Sequence, residues 1–325
     1  MIVVTGGAGF IGSALVWRLN QLGKKNIIIV DRLGSDEKWK NLVPLSYADY
    51  FDKGEFIDKI VNDEIDFEIE AIIHMGANSA TTEKDADHLM ENNYKYTQAL
   101  AKYCLEKDIR FIYASSAATY GDGSLGFDDA DENCLKLHPL NMYGYSKNIF
   151  DVYAYNNGML NNIVGIKYFN VYGPNESHKG EMRSVVHKAF EQVRDFGKVN
   201  LFKSLHPDYK DGEQKRDFVY VKDAVEMTLF FLEHNDKNGL YNVGGGKART
   251  WNDLVTALFN AVGKPVNIEY VDMPEHLAEK YQYFTEANLN KIKKAGYLNP
   301  LYVLEDGVTD YVKNYLLKKK YLGEE

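Results

Sequence analysis

The chain has 325 residues, 45% of them hydrophobic and 26% charged, with a formal net charge of −9. That length supports a core needing no disulfide or metal staple, and the acidic balance argues against a nucleic-acid-binding face. No apolar run is long enough to cross a bilayer.

Nothing at the start reads as an export signal, because no basic segment followed by an apolar run precedes the first strand pattern. Cys104 and Cys134 match no metal or redox spacing. These features predict a cytoplasmic protein with small-molecule partners and no metal, nucleic acid or membrane.

In chain order, Ile2–Thr5 is apolar and β-branched, and residues 10–23 have helical spacing, with Ile11, Leu15 and Leu19 on one face and Gly23 as a stop. Between them runs Thr5-Gly-Gly-Ala-Gly-Phe-Ile-Gly12. Gly6, Gly9 and Gly12 fall where a strand turns into a helix. Glycine lets backbone approach a phosphate closely, and the helix N-terminus offers free N–H groups to a pyrophosphate. With the strand before it and the helix after it, this turn predicts a dinucleotide site.

Residues 26–31 read as a second buried strand ending at Asp31, placed about 20 residues after the glycines to contact an adenosine ribose. An ionised Asp31 against a 2′-phosphate would cost on the order of a few kcal/mol at an effective dielectric of ~20, which favours NAD. Arg32, Lys38 and Lys40 follow, and cations there could neutralise such a phosphate. On these residues alone NAD and NADP stay open.

Ala71–His74, Arg110–Ser116 and residues 164–169 repeat the strand theme, with helices expected over 85–107 and 146–155. The alternation predicts an α/β fold, a doubly wound parallel sheet of the Rossmann type. Ser116 ends a predicted strand, where such sheets bind ligands. Tyr143 and Lys147 stand four residues apart, on one helix face. A free phenol has a pKa near ~10; a neighbouring ammonium favours the phenolate, and Lys147 has donors to spare for a ribose hydroxyl. Ser116 can hold a substrate oxygen. Together they are equipment for hydride transfer at a carbinol carbon. Tyr145 is left as packing or a substrate contact.

After Tyr172-Gly-Pro174 the rhythm changes. Helices over 183–196 and Trp251–Val262 lack regular strand partners, and 205–213 is polar and turn-rich. A smaller, mostly C-terminal substrate lobe is expected. The expected division is 1–168 plus about 216–243 for the dinucleotide domain, and about 169–215 plus 244–325 for the lobe. The basic run Leu316-Leu-Lys-Lys-Lys-Tyr321 reads as a solvated helix end.

Several segments carry a resemblance: Tyr113-Ala-Ser-Ser-Ala-Ala-Thr-Tyr-Gly121, Leu140-Asn-Met-Tyr-Gly-Tyr-Ser-Lys147, Tyr168-Phe-Asn-Val-Tyr-Gly-Pro174, His178-Lys-Gly180, Lys215-Arg-Asp-Phe-Val-Tyr-Val221 and Lys280-Tyr-Gln-Tyr-Phe-Thr285. Over nearly its whole length the chain resembles the extended short-chain dehydrogenase/reductase superfamily. Within it, the chain is similar to the ADP-heptose 6-epimerases, enzymes of lipopolysaccharide heptose supply.

The resemblance implies an isomerase in which tightly held NADP oxidises C6″ of the sugar and reduces it again from the other face. Tyr143 and Lys179 are the implied acid–base groups. The implied cofactor contacts are Gly6, Gly9, Phe10, Ile11, Gly12, Asp31, Arg32, Lys38, Lys53, Met75, Gly76, Ala77, Asn78, Ser79, Asn92, Lys147, Val171 and Lys179. The implied substrate contacts are Ser116, Asn170, Glu181, Lys188, Phe202, Arg216 and Tyr281, with Arg216 suited to the diphosphate. A homo-oligomer, a pentamer, is also implied.

Glu181 stands where a serine is typical and Lys188 where a histidine is, and an insert precedes Lys215-Arg216. The rival readings are a nucleotide-sugar 4-epimerase, which would not need Lys179, and a non-catalytic NAD(P)-binding sensor. A dehydratase would need an acid–base pair where Ala117 and Ala118 stand.

Overall fold

A computed structural model describes residues 1–274 and 281–324; Lys280 lies outside them. Seven strands form one parallel sheet: β1 (Ile2–Thr5), β2 (Ile27–Asp31), β3 (Asp49–Asp52), β4 (Ala71–His74), β5 (Arg110–Ser116), β6 (Val164–Tyr168) and, at the far edge, β10 (Gly239–Val243). Their order is β10-β6-β5-β4-β1-β2-β3, every pairing parallel. The direction of winding reverses between β1 and β4, the place where such sheets open a crevice at their strand C-termini.

The pleat explains the two cores. Val4, Ile27, Ile29 and Ile73 point to the face covered by α1 (Phe10–Gln21) and α7 (Val221–Glu233). Val3, Ile28, Val30 and Ile72 point to the other, covered by α2 (Lys53–Val61), α4 (Tyr96–Glu106) and α5 (Met142–Asn156). Strands buried on both faces read as continuous apolar runs, which is how 26–31 reads in the sequence.

Three differences from the sequence reading have physical reasons. The expected helix over 85–107 is Ala86–Leu89, a π-turn at Met90–Lys95, and α4, entered through Asp85, whose carboxylate accepts the His88 N–H. α5 begins at Met142 rather than 146, because the Asn141 side chain caps it by accepting the Gly144 N–H at 2.8 Å. Strand β3 and helix α2 were not anticipated; β3 (Asp-Tyr-Phe-Asp) is a polar edge strand that buries none of its residues fully.

The rest is built on two small sheets. β7 (Asn170–Tyr172), β9 (Lys215–Tyr220) and β11 (Ala248–Thr250) form one in the order β11-β9-β7, and β8 (Val199–Phe202) pairs with β12 (Ile268–Val271) in the other. Helices α6 (Val185–Phe196) and α8 (Trp251–Val262) pack together beside them. Segments 216–221 and 240–243 were both expected at the first domain's margin. Only the second joins the main sheet; β9 pairs with β7 instead, Val171 opposite Val219. Asp217, fully buried in β9, binds this sheet to its surroundings: its carboxylate accepts N–H groups from Gly245 at 2.5 Å and from Gly246 and Ala287 at 2.9 Å. Among the described residues no helix is long and apolar enough to cross a membrane.

Candidate active site

A cleft of about 690 Å³ opens at the C-terminal ends of the main sheet. Its floor is the glycine turn. Gly6 adopts φ +65°, and a Cβ there would come within 2.7 Å of the Gly76 nitrogen, so the backbones after β1 and β4 approach closely only because Gly6 has no side chain. No side chain caps α1, whose first turn, Phe10, Ile11 and Gly12, lines the cleft. An uncapped helix N-terminus in a glycine cradle suits a pyrophosphate.

Asp31 is buried, and its carboxylate is fully engaged: Oδ2 accepts the Ala8 N–H at 2.9 Å, while Oδ1 accepts the Arg32 N–H at 2.7 Å and the Lys38 ammonium at 2.9 Å. Lys53 donates to Asn92 at 2.5 Å; burial and the nearby Arg32 charge lower its pKa. Arg32, Lys38 and Lys53 thus bring three cations to the end of the cleft where Asp31 and Asp36 stand, with Lys38 in contact with Asp31.

Deeper in the cleft stand Ser116, Tyr143 and Lys147. Lys147 is 4% exposed, and burial, opposed by the Asp151 charge, brings its pKa down to about 8. Tyr143 is shifted the other way: burial raises its pKa, and a hydrogen bond from Ser116 opposes this. The sequence reading has Lys147 lowering the phenol's pKa. Burial is the largest influence on both groups. Behind α5, Asp151 accepts from the Tyr113 hydroxyl at 2.9 Å, the Ser115 hydroxyl at 2.7 Å and the Lys167 ammonium at 2.6 Å. That network ties the helix to β5 and β6.

The structure brings together Met75, Gly76, Ala77, Asn78, Ser79, Asn92, Asn170, Val171 and Lys179 with the residues above, all on this one cleft. Lys179 is half-buried, its ammonium 5.5 Å from the Phe10 ring centroid; burial lowers its pKa and Glu176 opposes this. Five expected substrate residues do not line the cleft. Glu181, 94% exposed at its side chain, pairs with Lys188 at 3.5 Å. Phe202 ends β8, opposite Val271. Arg216 and Tyr281 belong to a separate aromatic cluster.

In that cluster the Arg216 guanidinium lies 5.2 Å from the Tyr281 ring and 5.8 Å from Trp251, whose indole N–H donates to the Tyr281 hydroxyl at 2.9 Å. Arg216 is 7% exposed, and among the described residues no carboxylate pairs with it. Sequence reasoning missed Trp251 as a partner, and Ala114 and Ser115 as cleft residues. The strand-end rule that selected Ser116 would have found the latter two; Trp251 carries no local signal.

A family model described as "NAD dependent epimerase/dehydratase family" matches residues 2–244. The chain belongs to that family. The enzyme therefore uses a nicotinamide cofactor, and the glycine cradle and uncapped helix are fit to hold one.

It is 57% identical over 316 residues to an ADP-L-glycero-D-manno-heptose-6-epimerase of Nitratidesulfovibrio vulgaris, covering 97% of this chain and 98% of the relative. It is 50% identical to the enzyme of the same name from Fusobacterium nucleatum, covering 98% and 99%. Among solved structures it resembles the Helicobacter pylori ADP-L-glycero-D-manno-heptose-6-epimerase with a TM-score of 0.80 at 29% identity, covering 96% and 95%.

Proposed function

We propose that the enzyme inverts C6″ of ADP-D-glycero-β-D-manno-heptose, giving ADP-L-glycero-β-D-manno-heptose for lipopolysaccharide inner-core synthesis, with NADP as its resident cofactor. The observation that carries this reading is a single cleft lined by the glycine turn, by Tyr143 and Lys147, and by Lys179. Bound nicotinamide supplies reversible hydride transfer at a carbinol carbon.

The chain's own residues do the rest. Ser116 and Tyr143 hold the substrate oxygen, and the phenol moves its proton. Lys147 holds cofactor hydroxyls. Lys179 is the second acid–base group, which suits two stereoisomers that present their hydroxyls from different directions. Arg216, buried without a carboxylate partner among the described residues, suits the diphosphate. NADP is favoured because the Asp31 carboxylate already accepts three donors, and Arg32, Lys38 and Lys53 bring cations to the same end of the cleft. The enzyme acts in the cytoplasm as a homo-oligomer, a pentamer, which light scattering tests.

The deciding experiment incubates the protein with ADP-D-glycero-β-D-manno-heptose and follows the C6″ configuration. Inversion is expected, with turnover falling at least about a hundredfold in Tyr143→Phe while the cofactor stays bound. Lys179→Met is expected to stop inversion with the fold intact. A fully active Lys179→Met enzyme, or activity only at C4″ of other nucleotide sugars, would reject the reading.

A further inference from the structure

Lys179 sits in a loop between β7 and α6, and one carboxylate closes that loop at both ends. Glu176 is 1% exposed. Its Oε1 accepts the Gly173 N–H at 3.3 Å and the Ser184 hydroxyl at 2.6 Å; its Oε2 accepts the Ser184 N–H at 2.5 Å. Its backbone carbonyl also accepts the Lys179 N–H at 3.0 Å. The beginning and the end of the loop thus meet at one side chain, three residues before the lysine.

The base of the loop is also fixed from outside. Asn175, at φ +76°, donates from Nδ2 to the Ser13 hydroxyl of α1 at 3.0 Å and accepts the Leu322 N–H on Oδ1 at 2.9 Å. Its carbonyl accepts from the Asn41 amide at 3.1 Å. The loop therefore rests on the same helix whose first residue, Phe10, carries the Lys179 ammonium over its ring.

A buried carboxylate needs donors to be tolerated. Glu176 has three, and among the described residues no salt bridge neutralises it. The charged group that faces it is Lys179. Burial raises the Glu176 pKa, opposed by the two Ser184 hydrogen bonds and then by the Lys179 charge; burial lowers the Lys179 pKa, opposed by Glu176. The other titratable neighbours are Tyr311, whose hydroxyl faces Glu176 from the C-terminal segment, and His178, whose pKa burial brings to about 4, so that it is neutral at pH 7.

We propose that Glu176 is the positioning residue for Lys179, fixing the loop that carries the ammonium and supplying the negative charge that faces it. This rests on Lys179 being the second acid–base group.

The test is the pH dependence of kcat for heptose inversion. Lys179→Arg, which holds its proton more tightly, first identifies the lysine's limb as the one it displaces to higher pH. Glu176→Gln is then expected to move that limb to lower pH by on the order of one unit. It should also lower kcat about tenfold, with KM and cofactor retention held. A profile superimposable on the wild type overturns the proposal. Glu176→Asp keeps the charge but shortens the reach, so it should lower kcat and leave the limb in place; unchanged kcat in this variant also overturns it, even if Glu176→Gln fails to fold. If Lys179→Met is fully active, the acid–base reading of Lys179 fails instead, and the two failures are told apart.

Discussion

Lys147 is the residue whose burial has the clearest energetic signature. It is 4% exposed, and its neighbour Asp151 is already engaged by Tyr113, Ser115 and Lys167. The folded protein therefore holds an ammonium with a pKa of about 8 against an ordinary 10.5. Below pH 8 both folded and unfolded chains are protonated at this position and the burial penalty is complete. As pH rises from about 8 to 10.5 the folded chain binds fewer protons than the unfolded one, so stability is regained. Lys147→Met is expected to abolish turnover yet raise stability at pH 7 by roughly 3 kcal/mol, an advantage that disappears by pH 10.5. Urea unfolding of both proteins at the two pH values, with matched cofactor content, measures it.

At the scale of elements, α5 decides where the phenol sits. Tyr143 belongs to its first turn because Asn141, and not a residue nearer 146, caps the helix. Gly144 lets that turn press against the short helical turn after β5: a Cβ there would come within 2.7 Å of the Ala118 carbonyl oxygen. Gly144→Ala is expected to destabilise the fold by about 1–3 kcal/mol and to lower kcat by displacing Tyr143 from Ser116. Thermal melting and steady-state kinetics check the two effects, and an unchanged kcat would detach the packing from the chemistry.

The same scale shows what a sequence can reveal. The main-sheet strands other than β3 and β10 were legible because residues buried on both faces must be apolar and β-branched. The cofactor cleft was legible because its parts are glycines and strand ends at fixed offsets. β3 and the small sheets were not, because short half-exposed strands have no period of their own. Nor was the pairing of Arg216 with Trp251, which lie 35 residues apart in the chain and meet only through tertiary packing. The burial of Lys147 and its effect on the two pKa values were not legible, because spacing along a helix carries no information about burial.

For the whole molecule, Asp217 is the junction. It joins β9 to the glycine-rich turn after β10 and to the segment at Ala287, so the small sheet, the edge of the large sheet and the C-terminal stretch share one side chain. Asp217→Ala would leave the buried Ala287 N–H without an acceptor, at about 1–3 kcal/mol, and would turn the more accessible Gly245 and Gly246 N–H groups to water. Denaturant unfolding should show a loss of about 1–3 kcal/mol. Cofactor retention should fall less than nucleotide-sugar affinity, because the glycine turn lies in the large sheet; equal losses would place the damage in the sheet itself.

The dry guanidinium between Trp251 and Tyr281 has a kinetic corollary. A buried cation with no carboxylate partner among the described residues rewards whichever dianion reaches it, and it does not distinguish a whole sugar nucleotide from the nucleotide alone. Free ADP, the fragment without the heptose, should therefore compete strongly with substrate, and phosphate buffers should slow the enzyme in proportion to their concentration.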